Sequence, residues 1–438
     1  MLKVAKFGGS SVAKAAQFEK VKAIIQADPT RKVVVVSAAG KRSSDDHKLT
    51  DLLYLCHAHL TYGVSCDHIL DTIRDRFAEI RDHLGLTYDV EGDFNALRAT
   101  LSRDTTADEL VSRGEYFTAR LMAEYLGYEF LDAADCIFFG YDGKFDLEKT
   151  YDAIRKAASR GKGLVIPGFY GSLPTGKVKV MSRGGSDISG ALAAAAVDAA
   201  VYENWTDVSG ILMADPRIVK DPAPIPYITY DELRELAFTG ASVLHEDSVQ
   251  PVKDAGIPLN IRNTNRPEDP GTLIVAEAER NEEDREHFIT GISGRRNFSA
   301  LTLQKRAMNQ NLCLRQALEV LEQFRLPLEH ITLGLDSFAL VVSSAALADC
   351  QFEVLGQLRK LCDPDDLDIQ ENMALVAVVG RRMTYRPGTS GKIFRALGDA
   401  GINIRTLPQA ADEISIIVGV DNKDFETAIR VLYDGFAG

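Results

Sequence analysis

An α/β protein is predicted: an open sheet flanked by helices over residues 1–265, followed by two interlocked βαββαβ modules. The runs Lys32 to Ser37 and Gly163 to Pro167 are continuously apolar inside their ends, as strands covered on both faces must be. Helical patterns such as Thr50 to His59 and Ser112 to Leu126 lie between them, the alternation that builds a sheet with helices on both sides. Beyond a charged, turn-rich stretch the chain twice repeats a smaller order of strands and helices.

The first element, a short strand ending at Phe7, stops in Gly8-Gly9-Ser10-Ser11, with Lys6 just before the glycines. Glycines without side chains let backbone N–H groups approach phosphate oxygens, Ser10 and Ser11 are placed to cap a following helix, and Lys6 adds a cation. An ordinary strand-to-helix turn has the same appearance. Met181-Ser182-Arg183-Gly184-Gly185-Ser186-Asp187 repeats the logic, with Ser186 placed to cap an Ala-rich helix running to Val197. Two such helix starts flanked by Lys6 and Arg183 suit a ligand carrying several anionic groups, although Arg183 and Asp187 can also simply pair on the surface. Upstream, Gly171 to Val178 nearly matches a P-loop, but Val178 stands where the Mg²⁺-binding hydroxyl belongs and an alternating strand pattern follows, so it is rejected.

Ser112-Arg113-Gly114-Glu115 opens a helix, where Glu115 either favours the helix dipole or binds a substrate ammonium. A strand ends at Thr206-Asp207, and Asp215-Pro216-Arg217 makes a turn with a basic residue suited to phosphates. The eight histidines show no metal spacing and read as structural.

Residues 266–286 form a linker, from the turn chemistry of Arg266 to Gly271 to the mostly charged Glu277 to Glu286. The paired modules occupy 287–438. In the first (298–370), strands are expected at Phe298 to Leu303, Ile331 to Leu333, Ser337 to Val342 and Leu367 to Gln370, with helices at Cys313 to Phe324 and Phe352 to Leu361. The second (371–438) has strands at Ala374 to Val379, Ile402 to Leu407 and Glu413 to Val420, and helices at Lys392 to Ala400 and Phe425 to Tyr433. It lacks a last strand, which a spare one within 287–293 supplies, interlocking the two.

At 438 residues, with 45% apolar content, the chain is too long for a single core. A net charge of −13 without a dense basic tract argues against nucleic acid or an anionic membrane as partner and favours a small molecule. Six scattered cysteines show no disulfide or zinc framework. Asp198 interrupts the most apolar stretch, Ala191 to Val201, so no segment is expected to span a bilayer. The start runs straight into a strand without room for a signal peptide, and a cytoplasmic location is expected.

Lys6 to Val12, Ser112 to Glu115, Ser182 to Asp187, and Trp205 to Ile211 with Asp215-Pro216-Arg217 together resemble aspartokinase, in the family's order. The paired modules resemble the two ACT units that follow the catalytic domain there. The resemblance implies an amino-acid kinase fold, with Mg-ATP giving its γ-phosphoryl group to the β-carboxylate of L-aspartate for lysine, threonine and methionine synthesis. It implies Lys6 as a catalytic cation on the transferring phosphates and Asp187 as the organiser of the site. ATP would be contacted by Lys6, Gly8, Gly9, Ser10, Gly185, Ser186, Thr206, Asp207 and Arg217, with Mg²⁺ held mainly through the phosphates and no protein metal site. Arg183 would take the substrate α-carboxylate, Glu115 its ammonium, and Thr50 would contact aspartate. Glu329 would take the ammonium of an amino-acid effector: lysine, with threonine as a second candidate. ACT pairing implies a homodimer or a dimer of dimers.

There are departures from the family pattern. Ser10 stands for a frequent Thr, Ser242 for a usual Lys, Glu246 for a usual Pro, Asn311 for a glycine of the effector loop and Gly334 for a common serine. The missing cation at Ser242 throws more of the phosphate charge onto Lys6, with Arg217 a candidate to compensate. Three functions are compatible with these residues: a feedback-regulated kinase of this family, a kinase of another carboxylate such as glutamate or acetylglutamate, and a non-catalytic amino-acid sensor. The paired ACT units argue against the second. Lys6, Glu115, Arg183 and Asp187 argue against the third.

Overall fold

The computed structural model describes all residues except 183, 241–243, 245–247, 277–288, 307–309, 382, 384–386, 408–413 and 438. The chain divides into two compact units: Met1–Ile211 with Pro226–Tyr230 and Val243–Ala278, and Leu212–Ile225 with Asp231–Ser242 and Glu279–Gly438. Two excursions from within the first 265 residues thus belong with the C-terminal part of the chain.

The first unit is built on an eight-stranded sheet. Its strands are β1 (Lys3–Phe7), β2 (Arg31–Val36), β3 (Glu129–Phe130), β4 (Leu164–Pro167), β5 (Val201–Thr206), β6 (Tyr227–Thr229), β7 (Leu259–Asn263) and β8 (Thr272–Val275). They lie in the order β6-β8-β7-β5-β1-β2-β4-β3, parallel except where β8 meets β7. Val33 to Val36 are all at most 1% exposed, covered from both faces, each burial contributing roughly 1.5–3 kcal/mol. On one face, α1 (Ala15–Ala27) lays down Phe18, Val21, Ile24 and Ile25 at helical spacing, and α2 (Leu49–Thr61), α3 (Asp67–Leu84) and α4 (Arg113–Leu126) complete that core. Helix α5 (Gly185–Ala196) is apolar nearly all round and buried along its length from Ile188. A side chain at Gly190 would strike the Tyr202 hydroxyl, so only small residues let α5 approach the sheet this closely.

The rejected P-loop is a hairpin, Tyr170–Ser172 against Val178–Val180. The predicted caps are not made. Gly184, at φ +76, caps α5 in place of Ser186, and Lys14 precedes α1 without a side-chain bond. Ser11 falls inside a short 3₁₀ turn (Gly9–Val12), where its hydroxyl is drawn to Thr264 Oγ1 at 2.7 Å, tying two strand ends together.

In the second unit, α6 (Tyr230–Phe238) continues from Asp231, and a five-stranded antiparallel sheet follows. Its strands are β9 (Gly291–Gln304), β10 (Leu328–Leu333), β11 (Ser337–Ser343), β12 (Asp366–Val379) and β13 (Ser415–Asp421), in the order β10-β11-β9-β12-β13. The expected spare strand and the strand at Phe298 to Leu303 are one 14-residue strand, as are Leu367 to Gln370 and Ala374 to Val379. Each long strand serves both modules, so the interlock is covalent as well as hydrogen-bonded. One half packs Leu301, Leu340, Val354 and Leu358, the other Val376, Ile393, Val418 and Leu432. The expected strand at Ile402 to Leu407 shrinks to a single bridge, Thr406 with Gly419, because only two backbone bonds join that segment to β13. Asn311, expected in a loop, lies in the helix Gln310–Gln323, and Gly334 is in the turn between β10 and β11. Among the described residues, no helix is long and apolar enough to cross a membrane.

Candidate active site

Parallel strands end together, so their carboxyl ends bring loops from distant parts of the sequence side by side. The Gly8 amide donates to the Trp205 carbonyl (3.0 Å), Gly40 to Gly9 (2.9 Å), Gly168 to Val36 (2.9 Å) and Thr264 to Thr206 (2.8 Å). These backbone bonds collect Lys6, Gly8, Gly9, Ser10, Thr206 and Asp207 around the ends of β1, β2, β4 and β5, and Gly185, Ser186 and Asp187 join them through Phe169, Gly168 and Lys6. Ser10 and Asp207 are exposed, and Thr206 donates its hydroxyl to Asp207 (3.2 Å).

Lys6 is 7% exposed and its ammonium pairs with Asp187 Oδ1 at 2.6 Å. Asp187 sits in the first turn of α5, so the acid favours the helix dipole while it holds the lysine. The alternative Arg183 pairing for Asp187 cannot be set against this, since Arg183 lies outside the described residues, as do Ser242 and Glu246.

Glu115 lies in the first turn of α4 but is buried at 4% exposure, and its Oε2 has no hydrogen-bond partner among the described residues. Loss of water pushes its carboxyl up to about 8, opposed by backbone hydrogen bonds from Ala38 and from Glu115 itself. Ionising a buried carboxyl costs several kcal/mol unless a positive charge accompanies it, so such a group is suited to bind one. Thr50 is half-buried at the start of α2, where the neighbouring Leu49 packs toward Gly114 beside Glu115.

Two residues of this region carried no signal in the sequence. A Cβ at Gly40 would lie 2.7 Å from the Gly9 carbonyl group, so the loop after β2 supports the phosphate-type loop only as glycine. Phe169, after β4, has φ +77, a conformation costing a non-glycine residue roughly 1–2 kcal/mol. Its amide is held by Ser189 Oγ (3.0 Å), and its ring would meet any side chain at Gly185. Neither could be read without knowing which strand ends are neighbours.

Arg217 and Glu329 belong to the second unit. Arg217 is exposed and pairs with Asp215 at 2.6 Å, two residues away. Glu329, on β10, pairs with Arg295 at 2.5 Å and borders a cavity of about 490 Å³ lined also by His330, Leu333 and Leu407. Burial lowers the His330 imidazole, whose Nε2 has no partner among the described residues.

An open, mostly parallel sheet with glycine-rich loops at its strand ends, a buried lysine beside them and a buried glutamate, followed by paired ACT-like modules, fits the class of small-molecule kinases with an amino-acid-sensing region. Residues 1–263 match the amino acid kinase family and residues 376–436 the ACT domain. The chain is 32% identical over 451 residues to Aspartokinase 3 of Bacillus subtilis (strain 168), covering 99% of this chain and 98% of that one. Its fold superposes on aspartate kinase of Clostridium acetobutylicum with a TM-score of 0.93, at 44% identity over 99% of both chains. It also resembles E. coli aspartokinase III, at 25% identity over the whole of both chains. The TM-score is 0.77 to the complex with aspartate and ADP (R-state) and 0.76 to that with lysine and aspartate (T-state). The chain belongs to the aspartokinase family.

Proposed function

We propose that this chain transfers the γ-phosphoryl group of ATP to the β-carboxylate of L-aspartate, giving 4-phospho-L-aspartate, under feedback by an amino acid. The observation that carries this reading is the buried carboxyl of Glu115, whose Oε2 has no hydrogen-bond partner among the described residues, beside the loop after β2 that also backs Gly9: a group suited to an ammonium next to amides suited to phosphate. Glu115 takes the aspartate ammonium, Arg183 its α-carboxylate, and Thr50 assists. The β-carboxylate is ionised at neutral pH, so it needs no general base. What the protein supplies is alignment and charge neutralisation. Lys6, oriented by Asp187, and the amides of Gly8, Gly9, Ser10, Gly185 and Ser186 hold the phosphates. Thr206 and Asp207 contact the nucleotide, and Arg217 is assigned to it as well.

Among the described residues, no three His, Cys, Asp or Glu side chains converge as a cation cage. Mg²⁺ would be held mainly through the nucleotide phosphates, keeping several of its waters, with Asp187 the carboxylate beside them. Its chemistry there would be neutralisation of the phosphate charge, alongside that supplied by Lys6.

Lysine is the effector favoured by the E. coli complex. Glu329, which lines the β10 cavity and pairs with Arg295, offers the carboxylate that an effector ammonium needs. Pairing of ACT sheets across subunits gives a homodimer or a dimer of dimers.

The test is to incubate the purified chain with Mg-ATP and a candidate acid, trapping acyl phosphate with hydroxylamine. Aspartate is expected to give hydroxamate, while glutamate and N-acetyl-aspartate, which lacks the ammonium, give none. Product from glutamate alone would overturn the substrate assignment. Addition of lysine should reduce the rate, and threonine in a parallel arm tests the second candidate.

A further inference from the structure

Asn204 has no role in the reading above, and its place on β5 is unusual. A strand covered on both faces takes apolar residues, yet this amide is 3% exposed in the middle of the sheet. Alternation along β5 turns Glu203 and Trp205 to one face, where Glu203 forms a two-point ion pair with Arg31 and accepts the Trp205 indole N–H. It turns Tyr202 and Asn204 to the other. There the Tyr202 hydroxyl donates to the backbone carbonyl of Asp187 (3.1 Å), and Asn204 Nδ2 donates to Asp187 Oδ1 (2.8 Å). Asn204 is also the register partner of Lys6 across the β1–β5 pairing. Its amide and the Lys6 ammonium therefore converge on a single oxygen of Asp187, the ammonium at 2.6 Å.

We infer that Asn204 is a positioning residue for phosphoryl transfer, holding the Asp187 carboxylate in the one rotation that aims Lys6 at the transferring phosphate. The torsion that turns an aspartate carboxylate is broad and roughly two-fold, so one ion pair with a flexible lysine does not settle it. A second donor from a rigid strand does. With both donors on Oδ1, the lysine carbon chain is pinned at its far end. The inference rests on the proposed aspartate kinase activity, so the wild-type chain must first yield hydroxamate with aspartate; failure there would remove that reading and leave Asn204 without a reaction to serve.

Given that activity, two variants of the full chain decide. Asn204→Leu keeps the volume and deletes the donor. Asn204→Asp keeps the shape and turns a donor into an acceptor. Displacing a reacting group by about 1 Å costs on the order of 100-fold, so kcat is expected to fall between roughly 10- and 100-fold in both, with KM for aspartate and for ATP within about twofold of wild type. A kcat within about twofold of wild type in either folded variant would overturn the inference. So would losses of kcat that simply track the loss of melting temperature across the two, as a buried residue with only a packing role would give. Should the leucine variant fail to fold, the aspartate variant, which is isosteric, decides alone.

Discussion

Replacing Glu115 by Gln should make the protein more stable at alkaline pH while removing its affinity for aspartate. The Glu115 carboxyl is pushed from an ordinary 4.5 up to about 8, because burial strips it of water by more than its backbone hydrogen bonds offset. The folded chain therefore holds this proton more tightly than the unfolded chain does. Below pH 4.5 the group is protonated in both states and costs nothing. Between 4.5 and 8 the unfolded chain ionises and the folded chain does not, so stability falls as pH rises, reaching a full penalty above 8. At about 1.4 kcal/mol per pH unit, that interval is worth on the order of 4–5 kcal/mol. Glutamine carries no such penalty, only the roughly 1–3 kcal/mol of an imperfectly bonded buried amide, present at every pH. Urea denaturation at pH 5 and pH 9 should show Glu115→Gln equal to or below wild type at pH 5 and above it by a few kcal/mol at pH 9. The same account requires aspartate binding to the wild-type chain to release close to one proton at pH 7, measurable by calorimetry in buffers of different ionisation enthalpy. A stability difference identical at the two pH values, or binding without proton release, would refute the reasoning.

Lys6→Ala should leave the fold intact, since Asp187 keeps its Asn204 bond, but should lower kcat by roughly 10² to 10⁴, the equivalent of about 3–5 kcal/mol; near-normal turnover would reject the role of Lys6. Gly40→Ala drives a Cβ against the backbone of Gly9, and a loss of kcat/KM of about tenfold or more is expected at a stability cost of about 1–3 kcal/mol; an unchanged rate would show that the loop can yield. Glu232 is fully buried and bonded to the Arg381 amide (2.9 Å) and guanidinium (2.6 Å) and to the Thr290 hydroxyl (2.6 Å). Its replacement by Ala should cost about 3 kcal/mol in urea denaturation, and a loss below about 1 kcal/mol would mean that water replaces the carboxylate.

Whatever depends on local chemistry could be read from the sequence. Four successive valines announce a strand covered on both faces, a strand ending in two glycines announces an anion loop, and the βαββαβ order repeats visibly. What depends on which groups meet is decided by the fold. Ser11 and Ser186 have the right chemistry for caps, but a hydroxyl bonds to whatever lies nearest, which for Ser11 is Thr264, 253 residues away. The two long strands of the second sheet each read as a pair of strands, since a change of partner midway along leaves no mark in local propensity.

For the site itself, residue type set what each group is able to do, and neighbourhood set what it does. The sequence alone determined that Lys6, Glu115 and Asp187 bear charge and that the glycines of the two loops leave backbone amides open. Only the tertiary structure decided that Lys6 spends its charge on Asp187 and that a strand amide shares the same oxygen. It alone left Glu115 Oε2 buried with no hydrogen-bond partner among the described residues. The cause is physical: ionisation and hydrogen bonding depend on distance and exclusion of water, and both are set by strand ends that lie side by side in space while far apart along the chain.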